Sequence, residues 1–299
     1  LSAGLEHNLF ARHHDLTNTS ADLTLDWNAE LSKRDRLSVR DVFTRSFEPQ
    51  NFDEAFGRTG GRYGAYRNRL HAAYARDLTT QLTLSGRYGH EIDDPIRDEL
   101  RQAQLQTAGV QADYALSSAL ILKPGYRFLR RALDPGGETS IHTITGGLRR
   151  YLTKQLYLEG AAGVDWIDGY EDRWSTKSQY SDSLVNETDE LSTAGLSVSR
   201  AYLTTPHTED LAGTWRVSAS FARQLLKRVS AQAAAFMGRA EYVRADIQDT
   251  LWGLQLGARY DFSEEIKGVA GYALTDAESS DSARAYLRNM VMAGLRVEF

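Results

Sequence analysis

The chain has 299 residues, 41% of them apolar and 25% charged, and its net charge of −5 argues against general nucleic-acid binding, which needs an excess of Lys and Arg. It has no Cys, which excludes a disulfide framework and a thiolate metal site. No run of about 18 apolar residues occurs, so a transmembrane helix is excluded, whereas transmembrane strands of about 9–11 residues are not.

Alternation of apolar and polar residues predicts β-strands along most of the chain. In residues 20–31, for example, Leu23 and Trp27 lie on one face while Asp22 and Asp26 lie on the other. About 14 such strands are predicted, and they are residues 1–14, 20–31, 36–47, 66–75, 81–92, 105–114, 119–131, 140–151, 155–167, 214–224, 229–242, 251–262, 266–275 and 285–299.

The connections between these strands alternate between short polar turns and longer polar loops. Residues 168–213 interrupt this succession of strands with a long polar segment. We predict that they form a long extracellular loop or a loop folded inward as a constriction. Outer-membrane barrels have this asymmetry, and an even strand count returns both ends of the chain to the periplasmic side. Sandwiches also contain many short strands, but they have no reason to alternate short and long connections.

Aromatic residues at the ends of apolar rows favour the same architecture, because they fit the girdles at the two membrane interfaces; they are Trp166, Trp215, Trp252, Tyr260 and Phe262. We therefore predict one domain, residues 1–299, that forms an all-β, transmembrane, antiparallel up-and-down barrel with short periplasmic turns and longer extracellular loops. A barrel must be exported, so we expect a signal peptide to be encoded before Leu1.

The last strand, residues 285–299, is apolar at every second position and ends on an aromatic residue. The alternating residues are Val291, Ala293, Leu295, Val297 and Phe299. This pattern resembles the closing strand of bacterial outer-membrane barrels, and the resemblance implies that the barrel-assembly machinery reads this segment. The alternative is an edge strand of a soluble sheet.

The polar face of the strands would line the lumen of such a barrel. Its middle part is basic, with Arg40, Arg67, Arg69, Arg87, Lys123, Arg127, Arg131 and Arg149. An acidic part consists of Glu6, Asp22, Asp26, Glu30, Glu159 and Asp165. Two interpretations stay open: a transverse field that selects polar or anionic solutes, and an internal network of salt bridges.

Signals for catalysis are weak, and we predict no enzyme activity, no cofactor and no metal site. The seven His residues are scattered and none belongs to a nucleophile motif such as G-x-S-x-G. The Gly residues are spaced along strands, so no Gly-rich phosphate-binding loop is present.

The segment from Leu5 to Glu91 resembles the β-barrel porins found with bacterial exopolysaccharide export genes. It contains LEHNLF, LSKRDRLSVRDVFTRSFEP and YRNRLHAAYARDLTTQLTLSGRYGHE, in which polar turns precede alternating strands. The resemblance implies an outer-membrane channel for a secreted polysaccharide.

The leading hypothesis is therefore an outer-membrane channel for polar or anionic solutes, with outer-membrane lipid around it and a polysaccharide as one candidate solute. The alternative is a structural barrel that acts as a sleeve or anchor for a periplasmic or envelope protein of an export or electron-transfer complex.

Overall fold

The computed structural model describes residues 1–8, 18–47, 64–96, 100–170, 173–189, 191–204, 210–263 and 265–297. Their secondary structure is almost entirely β, as alternation predicted. The strands are β1 Ser2–Asn8, β2 Asn18–Ser32, β3 Asp35–Ser46, β4 Ala65–Asp77, β5 Leu82–Pro95, β6 Gln102–Ser117, β7 Leu120–Leu122, β8 Gly125–Asp134, β9 Glu138–Tyr151, β10 Leu156–Tyr170, β11 Arg173–Asp189, β12 Ser192–Thr204, β13 Leu211–Leu226, β14 Val229–Tyr242, β15 Gln248–Asp261, β16 Ile266–Ser279 and β17 Tyr286–Val297. A short 3-10 helix, Ser282–Arg284, precedes β17.

The strands form one antiparallel meander in which each pairs with its neighbours in sequence. The exception is the pair β7 and β8, which lie end to end and share the place between β6 and β9. Pro124 separates them because its ring nitrogen has no hydrogen to donate to the ladder. The seventeen strands therefore occupy sixteen places in the meander.

The expected count of about 14 strands and the predicted loop over residues 168–213 are both wrong. Within that range, Arg173–Asp189 and Ser192–Thr204 form β11 and β12, which pair with each other and with β10 and β13. The alternation is hidden because Thr176, Ser178 and Asp182 interrupt the row of β11 that also carries Tyr180 and Leu184. Backbone hydrogen bonds hold these strands whatever their side chains are.

Apolar side chains lie on the exposed outer face of the sheet, where Leu25, Tyr88, Ile144, Leu196 and Leu256 are all exposed. The buried apolar residues form only small clusters, such as Ile141, Ile167 and Leu211. Exposed apolar rows are costly in water but favourable in lipid, which is the environment this face fits. None of the described helices is long and apolar enough to cross a membrane.

The apolar band covers only part of each strand. Most strands have 12–17 residues, whereas about 9–11 are enough to cross a bilayer. Toward the longer loops the outer face becomes polar, as His90, Gln106 and Arg130 show on adjacent strands. Trp215 lies at this boundary, between Arg200 and Arg239. The sheet thus extends beyond the band on its long-loop side.

Of the residues predicted as girdles, Trp166, Trp252, Tyr260 and Phe262 are exposed on the outer side. Tyr260 and Phe262 lie beside the short turn after β15, where their rings pack edge to face. Trp166 and Trp252 lie at the opposite edge of the apolar band. The two groups occupy the levels that aromatic girdles take at membrane interfaces.

The two faces can be tested on adjacent residues of β9. Ile144 belongs to the apolar outer row, and Thr145 faces the polar side. Because the chain has no Cys, we expect Thr145→Cys in lipid vesicles to react at least about tenfold faster than Ile144→Cys with a membrane-impermeant maleimide. Quenching of a dye on Ile144→Cys by lipid-borne nitroxides gives the reciprocal measurement. Equal reaction rates would contradict the face assignment.

Candidate functional site: an arginine-lined cavity on the polar face

The register brings all eight predicted basic residues to the polar face of the sheet. One continuous row of paired residues runs from Ala73 on β4 through Arg87, Gly109, Arg127 and Thr143. The other basic residues lie in parallel rows of the same face, and they are Arg40, Arg67, Arg69, Lys123, Arg131 and Arg149. Of the predicted acidic set, Asp22, Asp26, Glu30, Glu159 and Asp165 share this face, and the side chain of Glu6 lies outside the described residues.

Toward the long loops, the basic residues on this face are neutralised by carboxylates. Arg67 is only 4% exposed and makes an ion pair with Asp93 on β5. Its Nε also lies 3.3 Å from Glu91, which in turn lies 3.1 Å from Nε of Arg69. Two arginines and two carboxylates thus form a connected network, which agrees with the salt-bridge interpretation that the sequence left open.

A second ion-paired group lies nearer the short turns. Glu159 on β10 lies 2.5 Å from Nζ of Lys123 and 2.5 Å from Nη2 of Arg149. The guanidinium of Arg149 also lies 4.8 Å from the ring centre of Tyr157. The register places Lys123 opposite Gly147, two residues from Arg149 on the same face of the sheet, so both cations reach the same carboxylate.

Two further predicted lining residues are inaccessible. Arg131 is 3% exposed and Asp165 is 1% exposed, so neither side chain reaches open solvent. Asp165 accepts a 2.5 Å hydrogen bond from Oγ1 of Thr143. The burial of Arg67, Arg131 and Asp165 differs from the expectation that these side chains line an open lumen. Alternation assigns a side chain to a face, but it does not show how deeply neighbouring residues cover it.

The remaining three arginines, Arg40, Arg87 and Arg127, are exposed and line one cavity of about 560 Å³. Arg40 has its nearest carboxylate, Asp26, at 3.6 Å, with both side chains more than half exposed. Within the described part of the chain, Arg87 and Arg127 have no carboxylate at ion-pair distance. The cavity lining includes no Asp or Glu among the residues that the structure describes.

The cavity also contains polar residues that the sequence did not single out. They are His71, Thr107, Gln111 and Gln179, which come from β4, β6 and β11. Alternation places His71, Thr107 and Gln111 on the polar face. It does not place Gln179, which lies in the range predicted as a loop, and it cannot show that β11 and β3 line the same cavity. In the described ranges, no group of three His, Asp or Glu residues has the arrangement of a metal site.

The closing-strand residues Val291, Ala293 and Leu295 form an exposed apolar row on the outer side of β17. Val297 pairs with Ile266 at the start of β16, and Phe299 lies outside the described residues. The position of this row agrees with an outer-face strand, but its recognition by the assembly machinery stays a prediction.

No protein-family model and no curated protein matches the chain. Solved structures do resemble it: the copper transporter OprC, with 12% identity and a TM-score of 0.56, over 94% of this chain and 56% of that protein. The FrpB iron transporter of Neisseria meningitidis has 11% identity and a TM-score of 0.60, and the match covers 95% of this chain and 58% of that protein. The ferric-catecholate import receptor Fiu of E. coli K12 has 11% identity and a TM-score of 0.50, and the match covers 92% of this chain and 60% of that protein.

The chain thus spans less than two thirds of the length of each of these transport proteins. At such low identity, the likeness shows the fold alone. That fold is the all-β, antiparallel architecture of bacterial outer-membrane barrels, and it supports the outer-membrane localisation expected from the sequence.

Proposed function

We propose that the protein is an outer-membrane channel for polar, anionic solutes, and that the cavity of Arg40, Arg87 and Arg127 lies on the solute path. The observation that carries this proposal is a cavity lined by three exposed arginines and by no described carboxylate. At roughly 6 Å, each unit charge attracts an anion by about 0.7 kcal/mol in water, and by more where the dielectric constant is lower. The same charges repel a bare metal cation.

The family resemblance favours a secreted polysaccharide with acidic groups as the solute. The cavity is consistent with such a chain, because its walls combine guanidinium groups with hydroxyl and amide groups of Ser38, Ser85, Gln111 and Gln179. No covalent step is needed: the arginines attract the solute, the polar groups replace its water, and lipid surrounds the apolar band.

Planar-bilayer recording of the purified chain under a KCl gradient tests the proposal. A steady conductance that prefers anions is expected. A folded and inserted protein that conducts no current, or one that prefers cations, would contradict the channel. The first of these outcomes would favour the alternative, a barrel that acts as a sleeve or anchor for another envelope protein, and proteins that copurify would then identify the partner.

We also propose that β1 and β17 pair to close the barrel. β1 pairs with β2 and β17 pairs with β16, and the two strands run antiparallel to each other after sixteen places in the meander. Leu5 on β1 and Val291 on β17 are 79% and 81% exposed, against 45% for Leu256 inside the sheet. Closure would cover these apolar side chains and satisfy the backbone groups of both strands, which lipid cannot do.

Disulfide cross-linking tests closure in a chain that has no Cys of its own. We expect Leu5→Cys to form an intramolecular disulfide with a Cys at one outer position of β17, scanned over residues 287, 289, 291 and 293. Leu5→Cys with Ile144→Cys, on the outer face of β9, is the matched control and should not cross-link. If no position of the scan cross-links, or if only cross-linked dimers form, closure between β1 and β17 is wrong.

A further inference from the structure

Two arginines on the polar face lie on either side of a glycine. The register pairs Gly109 of β6 with Arg87 of β5 on one side and with Arg127 of β8 on the other. Neighbouring strands are about 4.8 Å apart, so the two arginine Cα atoms lie roughly 10 Å from each other. Both side chains are exposed and point to the same side of the sheet, so both guanidinium groups can reach the space above Gly109.

Gly109 has no side chain that would project between the two arginines. A Cβ at this position would lie 3.2 Å from the carbonyl oxygen of Tyr126 and 3.9 Å from Cβ of Arg127. Any larger side chain would therefore occupy the volume between the two arginines. The pair of cations and the open floor between them belong to the same cavity of about 560 Å³.

These two arginines differ from the other basic residues of the face. Arg67, Arg69, Lys123 and Arg149 already bind carboxylates. For Arg87, the described residues include no ion-pair partner, and Arg127 has only the longer-range attraction of buried Asp165. Their hydrogen-bond donors are therefore available to a ligand, and an arginine matches the paired oxygens of a phosphate, sulfate or carboxylate.

The walls around the two arginines carry neutral polar groups. Thr107 and Gln111 lie on β6, two residues to either side of Gly109 and therefore on the same face. Ser85 lies on β5, two residues from Arg87. Such groups bind the hydroxyls of a sugar. The cavity volume lies within the range of about 300–1,000 Å³ that is usual for small-molecule sites, and it exceeds what a lone phosphate ion needs.

We propose that Arg87 and Arg127 form a saturable site for one oxyanion above Gly109, and that the ligand is an anionic saccharide unit whose hydroxyls contact the polar walls. This inference rests on the proposed function for its biological role, because it places a selective step on the solute path. The site itself is a property of the cavity, and binding can be measured without conduction.

Isothermal titration of the folded, detergent-solubilised chain tests the site with glucose 6-phosphate, glucuronate, inorganic phosphate and glucose. We expect saturable one-to-one binding of glucose 6-phosphate and glucuronate, and no binding of the neutral sugar. Arg87→Gln and Arg127→Gln should each weaken binding at least about tenfold. Gly109→Val, which keeps both arginines and fills the space between them, should weaken it as much.

Arg259→Gln is the matched control, because Arg259 is an exposed arginine of the same face on β15, outside the cavity, with Asp261 at 3.1 Å. Equal loss of binding in this variant, or unchanged binding in Arg87→Gln and Gly109→Val, would overturn the site. Equal affinity for inorganic phosphate and glucose 6-phosphate would overturn the saccharide part. An anion-selective conductance without saturable binding would reject the site but leave the channel, whereas binding without conductance would reject the channel alone.

Discussion

Simultaneous replacement of Arg40, Arg87 and Arg127 by Ser is expected to lower the chloride-to-potassium permeability ratio about fivefold to tenfold. The physical reason is weak compensation of these charges: Arg87 and Arg127 have no described carboxylate at ion-pair distance, and Arg40 has only the exposed Asp26, at 3.6 Å. Three unit charges, each roughly 6 Å from a chloride ion, together attract it by about 2 kcal/mol in water, and salt screening reduces this attraction. Reversal potentials measured across a KCl gradient give the ratio directly.

The matched control for this prediction keeps the charge and changes only the shape. The triple replacement by Lys should retain the anion preference, because lysine carries the same unit charge without the planar fork. If the Ser and Lys variants have the same reversal potential as the wild type, the three arginines are not on the conduction path. The effect should also shrink as the salt concentration rises, since the charges face water.

The second large effect concerns stability, and it follows from the burial of Arg67. We expect Asp93→Ala to lower the free energy of unfolding by about 3–5 kcal/mol, because it leaves Arg67 without its closest anion. Glu91 remains at 3.3 Å, but it is shared with Arg69. Urea unfolding in lipid vesicles, followed by the gel mobility of unheated samples, measures the change.

A double variant separates the buried charge from the loss of packing. Arg67→Met combined with Asp93→Leu removes both charges and keeps apolar volume, so its stability should lie much closer to that of the wild type. Comparable destabilisation in the single and the double variant would show that packing, and not an uncompensated cation, determines the effect. Asp26→Ala, which removes the exposed partner of Arg40, should change stability by less than about 1 kcal/mol.

Alternation predicted most strands and both faces correctly because side chains of a strand point to opposite sides with a period of two. The same period assigns Arg40, Arg87 and Arg127 to one face from the sequence alone. The same rule failed over residues 168–213, where Thr176, Ser178 and Asp182 interrupt the apolar row. The backbone pairing of the strand persists there because it does not depend on the side chains.

The all-β architecture, the apolar face and the polar, charged face thus follow from local periodicity in the sequence. Which charges are paired depends on the fold. Arg67 meets Asp93 and Arg149 meets Glu159 because the register brings them side by side. Arg87 and Arg127 are each paired with Gly109 instead, which carries no charge. Pairing depends on residues far apart in the chain, and a one-residue shift in register would change every partner.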